Sequence, residues 1–144
     1  MLAVDVAELC VALSGDAGDA RWFFDCDTGD VVLLNSEYEP AENRGLTVAD
    51  IESNPLRFKP VPPGQPHELG DDMRAFVAQL PDATLRDSLT LALSAPKPER
   101  RFRAVLGWLP DELEHWRTFR HQQLERRAHA WLKSLGISAT ARHA

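Results

Sequence analysis

An α+β fold is what this sequence predicts: a small antiparallel sheet of two or three strands, packed with about five helices. Three observations carry that reading. Arg21-Trp22-Phe23-Phe24-Asp25-Cys26 and Asp30-Val31-Val32-Leu33-Leu34 are β-branched and aromatic runs separated by a turn. From Leu69 onward the apolar residues recur at helical spacing, punctuated by prolines. The run Asp111–Leu135 carries no breaker at all, which predicts one long C-terminal helix.

The elements follow in order. Val6, Leu9, Cys10 and Leu13 are spaced i, i+3, i+4, i+7, predicting a short helix over Val4–Leu13, and Ser14-Gly15-Asp16-Ala17-Gly18-Asp19 ends it in a polar turn. Asp27-Thr28-Gly29 has the form of a three-residue hairpin loop with Gly29 in the left-handed position. That register sets Trp22, Phe24 and Cys26 on one face with Val32 and Leu34, and Phe23 with Leu33 on the other. Residues 35–55 read as a loop with one helical turn near Val48–Ile51. Leu56–Val61 adds an edge strand, since Pro60 cannot donate to a ladder. The tract from Pro60 to Pro66 is a stiff linker within one domain.

Leu69, Met73, Phe76, Val77 and Leu80 define the next helix, and Pro81 stops it. Asp82 is the N-cap of another, with Leu85, Leu89 and Leu93. After Ala95-Pro96-Lys97-Pro98 comes a third, with Phe102, Val105, Leu106 and Leu109. Pro110 suits the first position of the long helix and Gly136 its end. The prediction is a single domain over residues 1–137 and a frayed tail over 138–144.

Composition bounds the function. Apolar residues make up 44% and charged residues 26%, the balance of a soluble globular protein, and no run reaches the length of a membrane span. The start has no basic n-region, so no secretory signal is predicted, and two cysteines without CxxC spacing read as reduced thiols of a cytoplasmic protein. The net charge of −6 is divided unevenly. Residues 1–96 hold 6 Lys and Arg against 17 Asp and Glu, whereas residues 97–144 hold 10 against 5. A basic C-terminal third can serve nucleic acid or a small anion, but pairing with the acidic part of the same chain is the simpler use.

The sharpest local feature lies in the long helix. Leu113, Trp116, Leu124, Ala128, Trp131 and Leu135 share one face, and Arg120 and Arg127 fall about 20° and 40° from its centre at 100° per residue. A guanidinium there needs a carboxylate, an aromatic face or a bound anion. Trp116 to Arg120 and Arg127 to Trp131 are i, i+4 pairs, the spacing of a cation–π contact. The structural reading pairs both arginines with carboxylates of the acidic part, Asp25 among them. The functional reading makes Trp116, Arg120 and Arg127 the lining of an anion or partner pocket.

The hairpin residues Phe24-Asp25-Cys26-Asp27-Thr28-Gly29-Asp30-Val31 and the C-terminal Trp116-Arg117-Thr118-Phe119-Arg120, followed by Leu124, Arg127-Ala128, Trp131-Leu132 and Gly136-Ile137, resemble those of a bacterial family known only as uncharacterised protein family 0158. The resemblance spans about Val4–Ile137. It implies a fold and a bacterial source and carries over no catalytic residue. Relatives usually have a glycine-containing segment ending in phenylalanine before the third late helix. This chain has Ala95-Pro96-Lys97-Pro98-Glu99 there, without the backbone freedom of a phosphate-cradling loop.

Other constellations are weak. Asp25, Asp27 and Asp30 lack the spacing of a calcium loop, and the row His121, Glu125, His129 lies off the apolar stripe, so no metal and no cofactor are predicted. Arg100 and Arg101, with Arg103 and Lys97, form a basic cluster beside Phe102 and Trp108, a pattern that single-stranded nucleic acid would suit. No catalytic constellation stands out, so an enzyme is the last of the readings. The first is a non-enzymatic cytoplasmic domain that binds a protein partner or itself as a homo-oligomer, motivated by apolar residues on both hairpin faces. The alternative is nucleic-acid or small-anion binding through the basic third.

Overall fold

The computed structural model describes residues 1–15 and 20–142. The polar turn expected at 14–19 lies outside the described residues from position 16, as do the last two residues of the expected tail. Among the described residues there are six α-helices and five strands in two small sheets, an α+β fold. They gather into two compact units, one comprising Met1–Gly64 with Leu124–Ala144, the other Gln65–Gln123. The first division falls in the proline-rich tract, the second inside the long helix.

In the first unit, β1 (Leu2–Val4) precedes α1 (Val6–Ser14). Asp5 caps α1 by accepting the Glu8 N–H at 3.1 Å, so the helix starts two residues later than its periodicity suggests. The strands β2 (Arg21–Asp25), β3 (Val31–Leu34) and β4 (Phe58–Pro60) form an antiparallel sheet in the order β3-β2-β4. β4 lies at the edge, where Pro60 is tolerated. The single turn α2 (Val48–Glu52) is closed by a Thr47–Asp50 capping box.

The hairpin register differs from the expected one. The Asp25 N–H donates to the Asp30 carbonyl and the Gly29 N–H to the Asp25 carbonyl, so the loop is Cys26–Gly29, one residue longer than predicted. Trp22 is thereby opposite Leu33 and Phe23 opposite Val32. A shift of one residue exchanges the faces of a strand. Val31 and Leu33 accordingly pack with Trp22, Phe24 and Cys26 against α1 and Leu124, Ala128 and Leu132. Val32 and Leu34 join Phe23, Phe58, Ile51, Tyr38 and Leu46 on the other face. Both faces are covered within the unit, so the apolar surplus of the hairpin is core and not a docking face.

The tail is also corrected. Ala139–Ala141 form β5, parallel to β1, with Leu2 opposite Ala139. Arg142 fastens it: its N–H donates to the Val4 carbonyl at 2.8 Å, and its guanidinium bonds Asp30 Oδ1 at 2.7 Å and the Thr28 carbonyl at 2.9 Å.

In the second unit, α3 (Pro66–Ala78), α4 (Ala83–Ser94), α5 (Pro98–Leu106) and the start of α6 (Pro110–Ser134) surround an aromatic core. Asp82 caps α4 as expected, accepting the Thr84 and Leu85 N–H groups. The Phe76 and Phe102 rings meet Trp116 edge-on at 5.5 and 5.0 Å between centroids. Of the stripe expected on α6, Trp116 is buried in this unit, and Leu124 and Ala128, with Leu132 in addition, are buried in the first. Gly136 ends it, with the Ile137 N–H reaching back to the Leu132 carbonyl.

Candidate functional site

Trp116 and Arg120 belong to the second unit and Arg127 to the first. Trp116 is a core residue: only 6% exposed, it is walled by Phe76, Phe102 and Phe119, which leaves no face of its ring for a ligand. Arg120 Nη1 lies 3.2 Å from Asp72 Oδ2, with the Arg120 side chain 17% and the Asp72 side chain 1% exposed. The carboxylate comes from the acidic part of the chain, as the structural reading requires, but it is Asp72 and not Asp25. The sequence held a signal for it. Asp72 stands three residues after Leu69 and four before Phe76, inside the apolar stripe of α3, just as Arg120 stands inside that of α6. Arg127 is half-buried.

Asp25 is committed elsewhere. Arg57 Nε donates to its Oδ1 at 3.0 Å and Nη2 to its Oδ2 at 2.9 Å, a bidentate pair at the hairpin tip. Burial alone would raise the Asp25 pKa. The bonds from Arg57, the Asp27 N–H and the Thr28 hydroxyl outweigh it and hold the carboxyl below the usual carboxylate range. Arg21 lies over the Phe23 ring and Arg57 over the Phe58 ring, the latter at 4.8 Å. Cys10 is buried, and burial, with the Glu125 charge, pushes its thiol up to about 11, so it is a poor nucleophile at neutral pH. Among the described residues no group of three or more His, Cys, Asp or Glu side chains could hold a metal ion.

The basic cluster lies at a concave surface. A cleft of about 610 Å³ in the second unit is lined by Leu69, Gly70 and Met73 of α3 and by Lys97, Pro98, Glu99, Arg100 and Arg103 at the start of α5. Its floor is apolar and its rim cationic. Lys97, Arg100 and Arg103 form that rim, Arg101 stands outside the lining, and the four cations of the cluster are not equivalent. Arg103 pairs with Glu99 at 2.9 Å, and Arg101 donates from Nε to the Pro96 carbonyl at 3.1 Å, tying down the loop before α5. Among the described residues, Lys97 and Arg100 are in no ion pair. Lys97 is also held left-handed, at φ +54°, between two prolines. Sequence reasoning found Arg100 and Arg101 but not the α3 side of the cleft, because a cleft between two helices has no local signature.

Past the other end of α5, the turn into α6 presents Trp108, 87% exposed. The turn itself is well fastened: the Trp108 N–H donates to the Val105 carbonyl and the Leu109 N–H to the Leu106 carbonyl. Leu91 on α4 is also exposed. No helix among the described residues is long and apolar enough to cross a membrane.

Comparison with known proteins agrees with the resemblance read from the hairpin and the C-terminal helix. The sequence matches the uncharacterised protein family UPF0158 along residues 1–144. A UPF0158 protein of Pseudomonas aeruginosa is 26% identical over 141 residues, covering 98% of this chain and 88% of the relative. No solved structure matches.

Proposed function

The chain belongs to the uncharacterised protein family UPF0158, and we propose that it is a non-enzymatic cytoplasmic module that binds a protein partner through its second unit. The observation that carries this reading is Trp108. A tryptophan that stays 87% exposed on a hydrogen-bonded turn forgoes the burial that makes this residue type valuable in a core. Exposed aromatics on fixed backbone are the anchors around which protein interfaces are built, because little entropy remains to be lost on docking. The hairpin faces are covered within their unit; the docking surface is placed instead on the second unit, at α5 and the turn after it.

Nucleic acid or a small anion at the basic cluster is the second reading, favoured by Lys97 and Arg100, which are in no ion pair among the described residues. It is the weaker one, since Arg101 and Arg103 are engaged within the protein and the chain as a whole carries −6. A photo-crosslinking residue at position 108, used in cells, separates the two. Discrete protein adducts, together with an association that persists at high salt and is lost in Trp108→Ser, support partner binding. Absence of adducts, with quenching of tryptophan fluorescence by mixed-sequence DNA or RNA that salt abolishes, replaces it with the second reading.

A further inference from the structure

The cleft between α3 and α5 identifies the kind of partner, an inference that rests on the partner-binding reading. We infer that it seats an acidic amphipathic segment, with an apolar side chain on Leu69, Gly70 and Met73 and a carboxylate against Lys97 and Arg100. Three observations on the cleft converge. Its volume of about 610 Å³ is that of a ligand site and not of a packing defect. Its rim is cationic where its one carboxylate, Glu99, is already spent on Arg103, leaving Lys97 and Arg100 to attract an opposite charge.

The third observation is Gly70. Glycine inside a helix costs stability relative to alanine, so its use needs a reason. Packing supplies none: a Cβ there would first meet the end of the flexible Arg74 side chain, at an ordinary 3.4 Å. The missing side chain does leave bare backbone in the lining of the cleft. Met73 beside it is an unbranched side chain able to adapt to different apolar occupants. An apolar floor with a cationic rim discriminates among anions. A nucleic-acid backbone would use the rim and leave the floor wet, whereas a helix with leucines on one face and glutamates on its flanks uses both.

The test uses the full chain and three labelled probes in fluorescence anisotropy: a short helix with leucines on one face and glutamates on its flanks, its lysine-for-glutamate counterpart, and a single-stranded oligonucleotide. The glutamate peptide is expected to bind saturably and the lysine peptide not to bind. Gly70→Leu, which fills the floor from a position with room for a side chain, should abolish binding. Arg100→Glu, an exposed change that does not threaten folding, should weaken it about tenfold by turning attraction into repulsion. Glutamate-peptide binding that both variants retain overturns the cleft as the seat, and so does preference for the oligonucleotide. If that peptide binding is instead lost only in Trp108→Ser, the partner-binding reading stands and the seat lies at the turn.

Discussion

Removing the Arg120 guanidinium tests the central electrostatic feature of the second unit. Arg120→Ala takes from the Asp72 carboxylate, only 1% exposed, the guanidinium that stands 3.2 Å from it. Breaking one side of a buried pair costs about 3–5 kcal/mol, because the remaining charge keeps its desolvation penalty and loses its compensation. With an unfolding entropy of about 2.1 cal/mol/K per residue, that cost lowers Tm by about 10–17 °C for a chain of this length melting as one. Calorimetry and circular dichroism of the parent and the variant measure it directly. The joint replacement Asp72→Leu with Arg120→Met should recover most of the loss, because two apolar groups then occupy the space of the ion pair. A neutral or stabilised Arg120→Ala protein would refute the reasoning. So would a Tm of the parent, but not of Arg120→Ala, that rises with added phosphate, since that is the behaviour of an anion site.

Gly29→Ala should destabilise by about 2 kcal/mol or more, because the residue has φ +80° and its Cβ would collide with the Ala3 carbonyl; an unchanged Tm would contradict the turn geometry. Asp25 titrates lower in the folded than in the unfolded chain, so its stabilisation is complete above the unfolded value near about 4 and drains away as pH falls through the folded one. Asp25→Asn should therefore lower Tm at neutral pH, with the gap to the parent closing in acid. Lys97→Gly and Gly70→Ala should each stabilise by about 1 kcal/mol, the first by relieving a left-handed non-glycine residue and the second by improving a helix, while both weaken binding of the acidic peptide.

What the sequence made legible was local. Prolines and the Asp82 cap marked the helices of the second unit, and the periodicity of α6 was sufficient to show that Arg120 lies against a core. What it concealed was non-local. Leu2–Val4 and Ala139–Ala141 are three-residue strands at opposite ends of the chain, too short for alternation to register and brought together only in the folded chain. The hairpin was visible, but one residue of loop length decided which of Val31 to Leu34 faced which core, and turn residues such as Asp27, Thr28 and Gly29 fit both lengths. The partner of Arg120 was concealed for a related reason: a stripe on one helix says that a charge is buried, not which other helix brings the opposite charge.

The same distinction explains why the cleft matters more than the arginines that first drew attention. Arg120 and Asp72 violate local patterning, yet the two violations meet within the unit, one charge against the other at 3.2 Å. Gly70 and Lys97 violate local preference too, one by lacking a side chain in a helix and the other by its backbone. At Gly70 no packing contact requires the missing side chain. Local choices that oppose stability without an internal reason gather where a surface is kept for something else. Here they stand on the two walls of one cleft, on helices that meet only in the folded chain. The exposed Trp108 past the far end of α5 extends the same argument, since it too is a cost to the isolated protein that a bound partner would remove.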